Sequence, residues 1–297
     1  MMAAKGGPFR TVRDLLRHGV SSLHRAGAHF GHGSTTAYDE AAYLVLHTLH
    51  LPLDTLEPFL DARLTDAEVG AVTAVIDRRA RQRIPAAYLT REAWLGEHRF
   101  YVDERVIVPR SFIAELLAAR MAPWITAPDE VMRVLDMCTG SGCLAILAAL
   151  AFPHARVDAV DVSADALLVA RRNVDDYRLS DRVRLVESDM FEKLPGGSYD
   201  LIISNPPYVD APSMTALPAE YRAEPQLALA GGDDGLRFVH TLLRESPTRL
   251  SCAGKLVVEL GHNRAAAEAA YPDLPFTWLE VAAGHDFVFT LDRGQFA

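Results

Sequence analysis

The first third of the chain has the hydrophobic spacing of α-helices. Thr65 followed by Glu68 has the spacing of a capping box, which marks a helix start, and Asp54-Thr55 predicts a second start. No alternation typical of strands precedes residue 88, so we predict a helical domain over residues 1–88. Mostly apolar residues recur at intervals of three and four in two stretches, Val12, Leu15, Leu16 and Val20, then Ala41, Leu44, Val45 and Thr48.

The spacing changes from helical to alternating between Trp94 and Val108. Apolar side chains now stand at every second position in short runs, and Gly96 occupies the place where two strands would turn. We therefore predict a β-hairpin linker over residues 89–110. The alternating apolar residues are Phe100, Val102, Val106 and Val108.

The remaining residues, 111–297, alternate short apolar strands with helical stretches, of which one covers 164–175 behind a capping Ser163. This alternation predicts an α/β domain with a parallel sheet covered by helices on both faces. A short turn joins the last two strands, so they pair antiparallel and the Rossmann-like, seven-stranded sheet is mixed. The predicted strands cover residues 133–136, 157–161, 183–186, 200–203, 255–259, 277–281 and 286–291.

Composition and charge narrow the function classes. The net charge is −9, and residues 126–297 hold 15 basic and 25 acidic side chains, which argues against a duplex-DNA-binding enzyme. The one basic run, Arg78 to Arg83, is either a solvated helix face or a contact to ribosomal RNA. Three cysteines, the short apolar runs and a start (Met1 to Gly7) without a signal-peptide core predict a cytoplasmic protein without a membrane span. The histidines and cysteines have no metal-ligand spacing.

A glycine-rich loop follows the first predicted strand of the α/β domain. Glycines there let the backbone turn tightly and approach a ligand, and Asp161 at the end of the next strand is placed to bind two ribose hydroxyls. The same residues satisfy a dinucleotide fingerprint, so a dehydrogenase stays open at this point. The loop and the residue before it comprise Asp136, Met137, Cys138, Thr139, Gly140, Ser141, Gly142 and Cys143.

Two features favour S-adenosylmethionine over a dinucleotide. Asp136 precedes the glycines, where a carboxylate suits a cationic methionine group and is a poor neighbour for a pyrophosphate. Asp189 and Met190 follow the third strand, where an acid and an apolar side chain would hold adenine. The structural alternatives are a helix-capping Asp136 and a core Met190.

The tetrapeptide Asn205-Pro206-Pro207-Tyr208 follows the fourth strand, at the same edge as the glycine loop. Both prolines fix φ and carry no N–H, so the loop is stiff and presents acceptors. The Asn205 side-chain oxygen and the Pro206 carbonyl would accept both hydrogens of a planar NH₂ group, and the Tyr208 ring would stack on it. Such a pair of acceptors suits the NH₂ group of an amide and that of an adenine equally well.

These motifs resemble class I N(5)-glutamine methyltransferases, and the resemblance extends over nearly the whole chain. Two departures from the release-factor branch favour the ribosomal-protein branch: residues 109–113 read Pro-Arg-Ser-Phe-Ile, and Cys138 stands where that branch usually has glycine. Phe112 replaces a proline common in the ribosomal-protein branch. Further segments that carry the resemblance are residues 31–33, 84–90, 100–106, 136–142 and 275–280.

The resemblance implies a protein methyltransferase that uses S-adenosylmethionine and modifies a glutamine of large-subunit ribosomal protein three, free or on an assembly intermediate. It implies cofactor contacts at residues 138–142, Asp161 and Met190, a dual role for Asn205, and substrate contacts at Pro206, Pro207 and Tyr208. Methylation of release factors or of adenine, a catalytically dead binding module and a nicotinamide oxidoreductase are the alternatives. The oxidoreductase leaves the tetrapeptide without a role, and a dead module predicts damaged motifs, whereas these are intact.

Overall fold

The fold was obtained as a computed structural model, which describes residues 9–194 and 196–296. Met1 to Gly7, for which no signal-peptide core is predicted, lies outside these residues. The chain divides into two compact units, which are described separately. The smaller unit reaches Ala93 and also includes the segment Pro218–Ala223; the larger unit contains residues 94–217 and 224–297.

The smaller unit is helical, as the apolar spacing predicts. Its helices are α1 (Val12–Ala26), α2 (Ala37–Thr48), α3 (Asp66–Gln82) and α4 (Ala86–Thr90). Thr65 caps α3 through the predicted box with Glu68, and Thr11 caps α1 in the same way. The helix start predicted at Asp54-Thr55 is wrong: this dipeptide lies in a turn region before a three-residue 3₁₀ helix at Glu57–Phe59.

A buried ion cluster holds part of the smaller unit together. Arg79 is 1% exposed; its Nε donates to Glu40 at 2.6 Å and its Nη1 to Glu220 at 2.9 Å. Arg83 also donates to Glu220. Glu220 is brought into this unit by the segment Pro218–Ala223. The run Arg78 to Arg83 is therefore neither a fully solvated face nor a continuous basic patch, since only Arg78 and Arg81 among its arginines are exposed.

The larger unit contains the predicted mixed sheet. Its helices are α5 (Ile113–Ala118), α6 (Cys143–Ala151), α7 (Ala164–Asp176), α8 (Ala211–Ala216), α9 (Arg237–Glu245) and α10 (Arg264–Ala270). A small hairpin of β1 (Ala93–Leu95) and β2 (His98–Phe100) precedes them and turns at Gly96. The main strands are β3 (Arg133–Met137), β4 (Arg156–Asp161), β5 (Val183–Glu187), β6 (Tyr199–Ser204), β9 (Leu250–Glu259), β10 (Thr277–Trp278) and β11 (Val288–Asp292), with a two-stranded sheet of β7 (Val209–Asp210) and β8 (Ala230–Gly232) between them.

The sheet order is β10-β11-β9-β6-β3-β4-β5, and the strands from β9 to β5 in this order pair in parallel. β11 pairs antiparallel with both β9 and β10, so the predicted mixed end of the sheet is confirmed. Successive residues face opposite cores: Leu201 and Ile203 pack in the cluster that contains α6, and Ile202 packs with α9. Burial on both faces explains why these strands are continuous apolar runs.

The linker differs from the predicted hairpin in the extent of its strands. The alternation continues to Val108, but the strands end at Phe100, and residues 101–108 form an irregular segment. Val102, Val106 and Val108 are buried nonetheless, because this segment packs into the larger unit. Within the described ranges, no helix has the length and apolarity to cross a bilayer.

Candidate active site

A pocket lies at the carboxyl edge of the parallel sheet, where ligands bind in open α/β folds. β3, β4 and β6 all end at this edge. The hydroxyl of Ser204 at the end of β6 donates to the carbonyl of Met137 at the end of β3, at 2.7 Å, and so fixes the two strand ends to each other. This hydrogen bond joins the two strand ends that lead to Cys138 and Asn205 in the pocket lining.

The glycine loop runs from β3 into α6 along this floor. Cys138 and Gly140 line the pocket, and Cys138 has a positive φ of 62°. The amide of Thr139 donates to the carbonyl of Val160 at 2.8 Å, which ties the loop to the end of β4. Thr139, Ser141 and Gly142 are buried and do not line the pocket. Their position supports the loop shape.

Asp161 ends β4 and lines the same pocket. Its Oδ2 accepts the Gly140 N–H at 2.8 Å and its Oδ1 accepts the Ser163 N–H at 2.9 Å. Burial raises the pKa of this carboxyl, and the two N–H donors oppose that rise. Each carboxylate oxygen has a second lone pair, so Asp161 keeps acceptor capacity for two ligand hydroxyls.

Asp136 does not reach the pocket wall. It is 0% exposed, lies in β3 beneath the loop, and accepts the Thr139 hydroxyl. Burial raises the pKa of its carboxyl to about 7, and the hydrogen bond from Thr139 works against this rise. Asp136 therefore supports the glycine loop through Thr139, and the predicted contact with a cationic methionine group stays a prediction.

Met190, with Cys138, gives the pocket an apolar surface. The Met190 sulfur lies 3.9 Å from the Cys138 sulfur, and both side chains line the pocket with Val162 and Phe238. Burial raises the pKa of Cys138 well above its usual value, so the thiol stays protonated. Asp189 also lines the pocket and is exposed.

The tetrapeptide continues from β6 on the opposite side of the pocket. Asn205 and Pro207 line the pocket, while Pro206 is buried and Tyr208 is half-buried. In the part of the chain that the structure describes, no hydrogen bond to the Asn205 side chain is formed. The structure thus brings an unengaged amide from β6 into one pocket with Asp161 and Met190.

Two further segments line the pocket and are not among the predicted site residues. Arg105, Val106 and Ile107 come from the irregular segment that follows the hairpin, and Pro225, Leu227 and Ala228 come from a turn before β8. Arg105 is held by Asp103, through Nε at 2.9 Å and Nη2 at 2.6 Å. The alternating apolar pattern masked the first segment, and nothing in the second has the spacing of a motif. The residues described include no cluster that could hold a metal ion.

The parallel sheet with its antiparallel end, the glycine loop and the acid after the second main strand define a class I methyltransferase. A family model described as "Methyltransferase small domain" matches residues 114–219. Curated relatives named ribosomal protein uL3 glutamine methyltransferase are 59% identical in Burkholderia pseudomallei (99% of this chain, 98% of the relative) and 59% identical in Bordetella pertussis (97% and 96%). The chain belongs to the ribosomal protein uL3 glutamine methyltransferase family.

Solved structures agree on the fold. The hMettl16 catalytic domain, crystallised with the MAT2A 3'UTR hairpin 6, matches with a TM-score of 0.50 and 16% identity over 77% of this chain and 81% of that one. The predicted class I methyltransferase fold and the predicted enzyme class are confirmed. S-adenosylmethionine is the cofactor of this class, and the free acceptor capacity of Asp161 beside an apolar wall suits an adenosine.

Proposed function

We propose that this protein methylates the side-chain amide nitrogen of a glutamine in ribosomal protein uL3. The observation that carries the proposal is Asn205, whose unengaged amide enters the same pocket as Asp161 and Met190. Curated relatives that resemble nearly the whole chain carry the name of this activity, which supports uL3 as the substrate.

Asn205 and Pro206 perform the central task. An amide nitrogen is a weak nucleophile because its lone pair is delocalised. The Asn205 Oδ1 and the Pro206 carbonyl accept its two hydrogens, which increases electron density on the nitrogen and fixes the direction of attack. Pro207 keeps this loop stiff and Tyr208 offers a ring to the amide plane. Orientation of this kind lowers the activation free energy by up to about 7–11 kcal/mol in favourable systems.

The other side of the pocket holds the cofactor. S-adenosylmethionine supplies an electrophilic methyl group when bound. Asp161 binds the ribose hydroxyls, and Met190 with Cys138 contacts the adenine, with Asp189 at its rim. Gly140 brings the backbone close to the ligand, while Asp136, Thr139, Ser141 and Gly142 maintain the loop.

We assign recognition of the protein substrate and of RNA to the helical unit, outside the pocket. The helical unit of residues 9–93 recognises uL3, free or within an assembly intermediate, in the cytoplasm. Arg78 and Arg81 are its exposed arginines in the basic run and would contact ribosomal RNA there. Reversal of both charges should weaken methylation of the native substrate at low salt. Unchanged activity at low and moderate salt would refute the RNA contact.

The decisive experiment uses labelled S-adenosylmethionine with purified uL3, a peptide-release factor and DNA, offered separately. Mass spectrometry then locates the label. Label on one glutamine of uL3 supports the proposal. Label on the release factor keeps the amide mechanism and changes the substrate, whereas label on adenine assigns the Asn205 acceptors to a base amine.

A further inference from the structure

Asn263 stands at the N-cap position of α10 and does not cap the helix. An asparagine at this position ordinarily accepts a hydrogen bond from an N–H of the first turn. Here the side chain makes no capping bond. Its Nδ2 instead donates to the backbone carbonyl of Tyr208, at 2.7 Å. The amide therefore serves the candidate substrate loop and not its own helix.

Three glycines pack closely around Tyr208. A Cβ at Gly261 would lie 2.6 Å from the Tyr208 ring, and one at Gly231 would lie 2.7 Å from the Tyr208 Cα. A Cβ at Gly235 would lie 2.5 Å from the Tyr208 carbonyl oxygen and 2.4 Å from Asn263 Nδ2. Distances below about 3 Å exclude a side chain, so these positions let two loops close on the tyrosine.

The next residue of the loop is fixed as well. The Val209 N–H donates to the Leu229 carbonyl at 2.9 Å, at the start of the β7–β8 pairing. Pro206 and Pro207 have no N–H and fixed φ values, so the path from Asn205 to Tyr208 has few free torsions. A constraint on the Tyr208 carbonyl therefore determines where the Asn205 side chain and the Pro206 carbonyl lie.

We infer that Asn263 is a positioning residue for methyl transfer: it holds the Tyr208 carbonyl, and through the two prolines it sets the acceptor geometry at Asn205. The inference rests on the proposed role of residues 205–208 in holding the substrate amide. Asn263 itself does not line the cofactor pocket. Loss of its hydrogen bond should therefore slow turnover and spare cofactor binding.

Two variants at Asn263 test this role. Asn263→Ala deletes the donor, and Asn263→Asp keeps the shape but places an acceptor against a carbonyl. We expect kcat to fall about tenfold or more, since small misplacements at a reacting group have costs of this order or greater. The Kd for S-adenosylmethionine should stay within about twofold, and kcat is expressed per cofactor-binding site so that unfolded protein does not count.

Gly261→Ala tests the positioning of Tyr208 independently, through a contact with the tyrosine ring. Its φ is 57°, so alanine adds backbone strain to the clash with Tyr208. Gly96→Ala is the matched control, because Gly96 has a φ of 62° and nothing lies within 4 Å of its added Cβ. Gly96→Ala should lose stability but keep kcat, whereas Gly261→Ala should lose kcat.

Hydrogen exchange measures the position of the loop without any substrate. Asn263→Ala should increase exchange at residues 208–210 and leave α10 protected. If no substrate is methylated by the unmodified protein, the proposed function fails, and the exchange result alone decides the positioning role. Unchanged kcat, unchanged exchange at residues 208–210, or a loss of cofactor affinity equal to the loss of turnover would overturn the inference.

Discussion

Arg110 and Glu224 form a two-pronged ion pair, with Nη1–Oε1 at 2.6 Å and Nη2–Oε2 at 2.7 Å. Glu224 is 2% exposed and also accepts the Val108 N–H at 2.9 Å. The pair anchors the residue directly before Pro225, which begins the turn that lines the pocket. Paired planar groups of this kind are strong and directional.

We expect Glu224→Gln to lower kcat/KM for the protein substrate about tenfold, because the turn at Pro225 loses part of its anchor. Steady-state kinetics with the protein substrate measure this. Glu245→Gln is the control, since the Arg244–Glu245 pair is largely exposed and such pairs contribute little. Equal effects of both changes would show that the turn is not held by Glu224.

Asn205→Ala should abolish nearly all turnover and keep the Kd for S-adenosylmethionine within about tenfold. The variant removes one of two acceptors for the substrate amide and leaves Asp161 and Met190 in place. Calorimetric binding and methyl-transfer assays separate the two quantities. An equal loss in both would make Asn205 mainly a cofactor ligand.

Asp161→Asn should weaken S-adenosylmethionine binding about 10- to 100-fold, the usual range for lost hydrogen bonds to a charged group. An amide also turns an NH₂ group toward one of the two backbone N–H donors, from Gly140 or Ser163. Asp165→Asn, at an exposed position in the first turn of α7, is the matched control. Retained cofactor affinity in Asp161→Asn would remove Asp161 from the binding site.

Arg79→Met should destabilise the helical unit by about 3–5 kcal/mol, because Glu40 and Glu220 would remain buried without their shared partner. Urea unfolding followed by circular dichroism measures the loss. Arg81→Met, at an exposed neighbour, should change stability by about 0.5 kcal/mol or less. A small loss in Arg79→Met would mean that the cluster contributes little.

The buried carboxyl of Glu259 should make the stability of the protein fall as the pH rises. It is 1% exposed, and burial raises the pKa of its carboxyl to about 7, against the hydrogen bonds from Ser111 and Phe112. The unfolded chain has a glutamate pKa of about 4.3, so the folded state binds more protons between these values. Its contribution to stability is complete below pH of about 4.3 and declines as the pH rises through 7. Glu259→Gln should flatten the fall of Tm over this range.

The sequence predicts those site residues that lie next to the end of a strand. Asp161 ends an apolar strand, Asn205 directly follows one and Gly140 lies three residues beyond one, and parallel strands carry their ends to one edge. The structure brings all three into one pocket. Asp136 has the same local signal, yet its side chain points into the protein, because alternation along β3 decides the face and the spacing of the motif does not.

Other features depend on partners far away in the chain. In the sequence Arg79 belongs to a basic run, whereas in the structure it is paired with Glu220. Arg105 reads as part of a hairpin, although the strands end at Phe100 and the following segment lines the pocket. Asn263 stands at a helix N-cap, yet its side chain holds the Tyr208 carbonyl. In each case tertiary packing overrides the local pattern, and no spacing rule contains that information.

The ion cluster at Arg79 also has a consequence during translation. Its second carboxylate, Glu220, lies 141 residues further along the chain. At a synthesis rate of about 5–20 residues per second, this stretch takes roughly 10 s to emerge. Throughout that interval the nascent helices carry Arg79 with Glu40 alone. The first part of the protein to leave the ribosome is therefore completed only after a much later segment has been synthesised.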